Sequence, residues 1–247
     1  MTRDDAFLGG RLVLRQPARG YRAGADAVML AAACPAGAGQ RVLELGCGAG
    51  VALFCLGARV PGLDLTGLER QGTLADLARH NAGATGIPAR IIAADLAEMP
   101  AALRAETFDH VLANPPFFAG GTRAPDASRA GARHEDTPLD AWIDAGLRRL
   151  KPGGWLTLIH RAGALDRILA GLAGRAGAAC VLPVAARGGQ DAGRVIVAAR
   201  KGAGGPLRLR APFVMHEKPA HDRDAEDLTP AARAVLRHGA AIDINPS

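Results

Sequence analysis

Short apolar segments alternate with segments of helical periodicity from residue 41 onward, and this alternation restricts the chain to an α/β architecture. RVLEL at 41–45 leads into glycines and predicts a buried parallel strand, and VALFCLGARV at 51–60 predicts the helix that follows it. The same alternation predicts further strands at 63–69, 89–95, 108–118, 155–161, 178–185 and 194–200. The predicted fold is one open, mostly parallel seven-stranded sheet with helices on both faces and an antiparallel strand near its edge.

The remaining segments extend or interrupt this pattern. Near the N-terminus, GGRLVLRQP predicts a strand or hairpin arm, and a short helix is predicted at 25–33. A short helix is also predicted at 96–104, and the clearest helix spans 139–150 with Thr137 as its N-cap. Residues 119–136 have no periodicity, so we expect a mobile loop there. We interpret the chain as a single domain, divided into an N-terminal segment, a core and a C-terminal extension at 1–30, 31–205 and 206–247.

Composition excludes several classes of protein and leaves one question open. The chain has two serines, neither in G-x-S-x-G, and no G-K-[ST], which argues against serine hydrolases and P-loop proteins. Its four cysteines form no C-x-x-C, so neither a zinc site nor any other metal site is expected. No leader or membrane span is recognised, and we expect a cytoplasmic protein. Arginine supplies 27 of the 30 basic residues, which fits either a GC-rich genome or a polyanionic partner such as RNA.

A glycine loop follows the first strand of the alternating region. The segment from Glu44 to Gly50 reads ELGCGAG, and Val51 stands where the dehydrogenase fingerprint needs its third glycine. The spacing therefore gives no reason to expect a pyrophosphate. It suits a ligand with a neutral or cationic middle and an amino-acid end, such as S-adenosylmethionine, although an ordinary strand-to-helix turn remains the alternative.

Acidic residues end the next two predicted strands. Glu69 is placed where a carboxylate can accept hydrogen bonds from both hydroxyls of a ribose. Asp95 is placed where a carboxylate can accept from the exocyclic amine of adenine. Each acid alone could equally be a helix N-cap. Because the carboxyl ends of parallel strands meet at one edge of the sheet, the two acids and the glycine loop together predict a nucleoside site.

The fourth predicted strand runs into Asn114-Pro115-Pro116-Phe117. Two prolines stiffen the backbone and remove two N–H donors, which leaves a cluster of acceptors around the Asn114 side chain. Such a cluster suits an NH₂ group, and the ring of Phe117 could stack on a planar substrate. The alternative is a proline turn that closes a strand, with Phe117 in the core.

These motifs resemble those of the class I S-adenosylmethionine-dependent amino-methyltransferases, which have a Rossmann-like fold. The chain as a whole resembles the bacterial tRNA1(Val) adenine-37 N6-methyltransferase family. The segments that carry this second resemblance lie at 9–12, 16–17, 20–28, 132–135 and 213–217. Ala25 and Phe117 depart from the family, which more often has threonine and tyrosine at those positions.

The resemblance implies a role for particular residues. The residues expected to bind S-adenosyl-L-methionine are Tyr21, Arg22, Gly24, Asp26, Glu44, Gly46, Cys47, Gly48, Gly50, Glu69, Arg70, Asp95, Leu96 and Asn114. The residues expected at the reacting centre are Asn114, Pro115, Pro116 and Phe117. The residues expected to contact RNA are Phe117, Phe118, Arg123 and Arg133. The implied reaction is methyl transfer to N6 of an everted adenine in a tRNA anticodon loop, with no metal.

Three alternatives remain open at this stage. Asn-Pro-Pro-aromatic turns also occur in methyltransferases that act on guanine N2 of ribosomal RNA or on a glutamine amide of release factors. The absence of a separate helical N-terminal domain argues against the glutamine enzymes. A non-catalytic scaffold that binds cofactor or RNA is the third alternative, and the intact segment from Asn114 to Phe117 argues against it.

Overall fold

The computed structural model describes residues 1–116, 137–218 and 227–244. The strands are β1 Thr2–Phe7, β2 Leu12–Pro17, β3 Arg41–Leu45, β4 Asp64–Glu69, β5 Ala89–Ala93, β6 Phe108–Ala113, β7 Leu150–Arg161, β8 Ala176–Arg187, β9 Ala192–Lys201, β10 Arg208–Leu209 and β11 Phe213–His216. The helices are α1 Ala25–Ala33, α2 Val51–Arg59, α3 Gly72–Thr85, α4 Ala101–Ala105, α5 Leu139–Arg149, α6 Leu165–Leu172 and α7 Pro230–His238.

One large sheet organises the chain and confirms the predicted fold class. Its strand order is β10-β8-β9-β7-β6-β3-β4-β5, and β11 also pairs with β8. The five strands from β7 to β5 in this order are mutually parallel, while β9 is antiparallel to both of its neighbours. The sheet has nine strands rather than the predicted seven, because β10 and β11 add to the outer side of β8.

The side-chain alternation along β3 decides which face each residue serves. Leu43 and Leu45 pack on the face covered by α5, where Ile143 and Leu147 are buried. Val42 packs on the opposite face, covered by α1 and α2. Glu44 shares the face of Val42 by the same alternation, so its carboxyl group lies in the layer of α2. The core therefore places an acidic side chain under the helix that follows the glycine loop.

One predicted helix start and one predicted N-cap were wrong, and a proline occupies the N-cap in both helices. The helix expected at 96–104 begins only at Ala101, with Pro100 at its N-cap. The helix expected to have Thr137 as its cap has Pro138 there instead. The backbone carbonyl of Thr137 accepts a hydrogen bond from Trp142 Nε1, 3.2 Å away. This hydrogen bond helps to hold the Trp142 ring beside Gly46, in the loop after β3.

The part of the chain that the structure describes contains no helix long and apolar enough to cross a membrane. Within the same residues there is no cluster of three or more histidine, cysteine or acidic side chains that could hold a metal ion.

Candidate active site

The three glycines of the loop have different structural roles. All three have a positive φ, +65° at Gly46, +56° at Gly48 and +85° at Gly50, which side chains other than glycine rarely adopt. A Cβ at Gly46 would lie 2.5 Å from the Trp142 ring, and one at Gly50 would collide with the ring of Phe54. A Cβ at Gly48 would meet no atom within 4 Å in the described residues. Gly46 and Gly50 therefore permit packing, whereas Gly48 leaves backbone open to a ligand.

Glu69 closes the glycine loop onto the end of β4. Its Oε2 accepts a hydrogen bond from the Gly48 N–H at 2.9 Å, and its Oε1 accepts one from the Gln71 N–H at 2.8 Å. The side chain is buried. Each carboxylate oxygen has two lone pairs, so both can still accept from ribose hydroxyls. The two hydrogen bonds from Gly48 and Gln71 fix the conformation of the glycine loop. The contact of Glu69 with a ribose remains a prediction.

Glu44 lies on the wall of the same cleft. Its carboxyl group accepts a hydrogen bond from the backbone N–H of Leu53, in the first turn of α2. Its Oε2 is buried and has no hydrogen-bond partner among the described residues. Burial, opposed by the Leu53 hydrogen bond and assisted by the nearby charge of Glu69, raises the pKa of Glu44 to about 8. The cleft therefore offers a buried acceptor that a cation would satisfy.

Asn114 comes directly after β6 and reaches this cleft from the next strand. The side chain is half-buried, Pro115 is buried and Pro116 is exposed. Asn114 Nδ2 donates a hydrogen bond to the Tyr21 hydroxyl at 3.4 Å. Phe117, Phe118, Arg123 and Arg133 lie outside the described residues, as does the loop predicted at 119–136.

Two of the N-terminal residues predicted to bind the cofactor, Tyr21 and Arg22, have different surroundings. Tyr21 lines the cleft that contains Glu44 and Asn114. Arg22 instead makes a bidentate ion pair with Asp5 of β1, at 2.8 and 3.2 Å.

The other two predicted N-terminal residues start helix α1. Asp26 pairs with Arg194 of β9 at 3.0 Å. Gly24 occupies the N-cap of α1 and lines a separate cavity. Cofactor roles for Arg22, Gly24 and Asp26 remain predictions.

Asp95 and Leu96 follow β5, the edge strand next to β4. Asp95 comes two residues after β5, and its Oδ1 accepts a hydrogen bond from the Ala97 N–H at 2.8 Å. Leu96 lines a cavity against α5, apart from the cleft of the glycine loop. Arg70 is exposed. Their adenine contacts remain predictions, whereas Cys47 does line the glycine-loop cleft, and burial raises the pKa of its thiol.

Two buried amides that the sequence reading missed assemble the site. Asn81 of α3 donates to the carbonyls of Arg15 and Ala49 at 3.0 and 2.9 Å, and accepts from the Arg15 N–H at 2.8 Å. Gln16 accepts from the Ala23 N–H at 2.9 Å and donates to the Ala23 carbonyl at 3.1 Å. Asn81 thus joins the N-terminal hairpin to the glycine loop. Gln16 holds the end of segment 17–23 next to strand β2. In the sequence, the sign of this role is that Asn81 is a polar residue on the otherwise apolar buried face of α3.

The chemistry of the cleft fits S-adenosylmethionine. The unpaired oxygen of Glu44 suits an ammonium group, and the open backbone at Gly48 allows close approach of a ligand. The enclosed volume of the cleft is about 50 Å³, well below that of pockets for ligands of this size.

The sequence pattern of the methyltransferase small domain family matches residues 24–170, more than half of the chain. The chain belongs to this family. A tRNA1(Val) (adenine(37)-N6)-methyltransferase from Porphyromonas gingivalis is 35% identical over 164 residues, covering 63% of this chain and 64% of that protein. A protein of the same name from Aeromonas hydrophila is 30% identical over 187 residues, covering 73% of this chain and 77% of that protein. The match to the first relative thus spans slightly less than two thirds of its length.

A solved structure gives the same result for the fold. The crystal structure of a predicted O-methyltransferase from Agrobacterium tumefaciens superposes with a TM-score of 0.71 at 28% identity, over 88% of this chain and 98% of that chain. The family resemblance and the class I methyltransferase fold predicted from the sequence are confirmed.

For this member of the methyltransferase small domain family, we expect Glu69→Ala to weaken binding of S-adenosylhomocysteine. The substitution removes an acceptor from the ribose and leaves the Gly48 and Gln71 N–H groups unpaired. A cost of about 1–3 kcal/mol corresponds to a Kd roughly 5- to 150-fold higher. Calorimetry measures this, and Asp64→Ala, at the opposite end of β4, is the control. Unchanged affinity would show that the ribose acid has been misplaced.

Proposed function

We propose that this protein is an S-adenosylmethionine-dependent N-methyltransferase that acts on N6 of an adenine in a tRNA anticodon loop. The observation that carries the proposal is the position of Asn114 at the end of β6, on the same cleft as Glu44 and Gly48. An acceptor for an NH₂ group thereby lies beside a cleft whose chemistry suits the methyl donor. The names of the two curated relatives support adenine N6 and tRNA as the acceptor. A tRNA substrate places the reaction in the cytoplasm.

Three residues would hold S-adenosyl-L-methionine. The free oxygen of Glu44 would accept a hydrogen bond from the amino group, and Glu69 would accept from the ribose hydroxyls. The open backbone at Gly48 would allow the methionine part to lie close to the loop. When bound, the cofactor supplies an electrophilic methyl group on a sulfonium centre.

Asn114 would help to make the target nitrogen nucleophilic. The exocyclic NH₂ of adenine is a poor nucleophile because its lone pair is conjugated with the ring. When the Asn114 side-chain oxygen and a neighbouring carbonyl accept its two hydrogens, the nitrogen is oriented with its lone pair towards the methyl group. The nitrogen gains positive charge as it reacts, so these acceptors bind the transition state more tightly than the ground state.

A methyl-transfer assay tests the proposal and its alternatives together. The protein is incubated with methyl-labelled S-adenosylmethionine and, separately, unmodified tRNA1(Val), ribosomal RNA and a release factor. We expect label in tRNA, at N6-methyladenosine after digestion and chromatography. A tRNA transcript with guanine in place of the target adenine is the matched control. Label in ribosomal RNA or in the release factor would replace the proposed acceptor, and no label in any of them would contradict the proposal.

A further inference from the structure

Tyr21 is the single tyrosine of the chain, and its hydroxyl contacts the side chain proposed to hold the target amine. The residue is 67% exposed and lies at the mouth of the cleft. Its phenolic oxygen accepts the hydrogen bond from Asn114 Nδ2 at 3.4 Å. The hydroxyl therefore occupies the donor side of the Asn114 amide.

We propose that Tyr21 is a positioning residue that holds the Asn114 side chain in place at the cleft. This inference rests on the proposed function and adds a residue to its site. A neutral phenol both donates and accepts, so its hydroxyl can hold the Asn114 side chain by either end of the amide. In the structure the phenolic oxygen accepts from Nδ2, and the Asn114 oxygen is then available to the target amine.

The backbone that follows Tyr21 is held by hydrogen bonds and an ion pair to hairpin β1–β2. On the C-terminal side, Gln16 makes two hydrogen bonds to the backbone of Ala23. Gln16 also donates to Asp5 Oδ2 at 2.9 Å, and Asp5 receives the bidentate pair from Arg22. Asp5 and Gln16 of hairpin β1–β2 thus fix the position of the backbone next to Tyr21.

The surroundings of the phenol keep its proton in place. Burial of the hydroxyl raises the pKa of Tyr21, and the charges of Asp26 and Glu44 raise it further, while the Asn114 hydrogen bond acts in the opposite direction. The phenol therefore stays neutral at physiological pH, and its oxygen can accept the hydrogen bond from Nδ2.

Tyr21→Phe removes the hydroxyl and keeps the ring. We expect the single-turnover rate with saturating tRNA to fall by roughly 3- to 10-fold, the scale of one neutral hydrogen bond, with less than about a twofold change in Kd for S-adenosylhomocysteine. Arg22→Ala should lower the rate in the same direction because it loosens the brace. Arg15→Ala, which breaks an exposed pair with Asp4 on the same hairpin, is the matched control and should leave the rate unchanged.

A double-substitution cycle distinguishes positioning from general support of the fold. Because Tyr21 acts through Asn114, the rate of Tyr21→Phe/Asn114→Ala should equal that of Asn114→Ala alone. Multiplied losses in the double variant would overturn the proposal. An equal loss of rate and of cofactor affinity in Tyr21→Phe would also overturn it, since that result makes Tyr21 a wall of the cofactor site.

A measurement without turnover separates this inference from the proposed function. In protein labelled with ¹³C at the tyrosine ζ-carbon, a single resonance reports Tyr21. Asn114→Ala should shift this resonance, whereas Arg15→Ala should not. If the wild-type protein methylates none of the tested acceptors, the proposed function fails and this shift still tests the contact. An unshifted resonance would overturn the inference whether or not the enzyme is active.

Discussion

Asn114→Ala should slow the methyl-transfer step by about 10²-fold or more, the scale observed when one group aimed at developing charge is removed. The side chain lines the cleft directly after the end of β6. Binding of S-adenosylhomocysteine should weaken by less than about tenfold, because Asn114 contributes at most one hydrogen bond to it. Single-turnover rates with saturating tRNA and cofactor measure the effect. A near-normal rate would contradict the mechanism, whatever the substrate.

Asn114→Asp tests which end of the amide matters. Aspartate keeps an acceptor for the target amine and can accept from the Tyr21 hydroxyl, so part of the activity should survive. It should fall below wild type because the substitution adds a negative charge to the cleft that also contains Glu44. An Asp variant no faster than Ala would show instead that the NH₂ of Asn114 is indispensable.

Glu44→Gln should weaken binding of S-adenosylhomocysteine by about 10- to 150-fold at pH 8, the scale of one hydrogen bond to a charged group. The buried Oε2 would be replaced by an amide end that cannot attract an ammonium group. Glutamine can still accept from the Leu53 N–H, so α2 should keep its start. Calorimetry measures the change, and Glu98→Gln, at an exposed glutamate, is the matched control.

The raised pKa of Glu44, about 8, also predicts how wild-type binding depends on pH. Below pH 8 the carboxyl is protonated in the free protein, and binding of a cation requires that proton to leave. Affinity should therefore rise by up to about tenfold per pH unit between pH 6 and 8 and then level off. Glu44→Gln should abolish this slope. A wild-type Kd independent of pH in this range would show that Glu44 is already ionised.

The raised pKa of Glu44 also predicts that stability against unfolding falls as pH rises, whereas cofactor affinity rises. The folded protein holds the proton more tightly than the unfolded chain, whose glutamate has the ordinary pKa of 4.5. The stabilising contribution is complete below pH 4.5 and is lost as pH rises towards 8. Thermal unfolding should therefore show Glu44→Gln gaining stability relative to wild type from pH 6 to pH 8.5. An unchanged difference between the two proteins would contradict the protonation of Glu44.

Much of the site was predictable because its residues follow strand ends. Glu44, Glu69 and Asn114 each lie at or directly after the carboxyl end of a parallel strand, and such ends meet at one edge whatever the loops do. The N-terminal partners were less accessible. Arg22 pairs with Asp5, and nothing local along the chain indicates that choice. Asp95 and Leu96 follow a strand end as well, but the turn after β5 directs Leu96 towards α5.

The sequence by itself determined the order of strands and helices, the glycine loop and the polar residues at the sheet edge, since these depend on local periodicity and turn chemistry. Only the tertiary structure decided how those residues act. Glu44 is left with an unpaired oxygen because α2 and the sheet bury it, and Gly48 differs from Gly46 because Trp142 arrives from a distant helix. Asn81 joins the hairpin to the loop across 66 residues of chain. Burial and pairing at such separations arise from packing of the whole sheet, which local sequence does not encode.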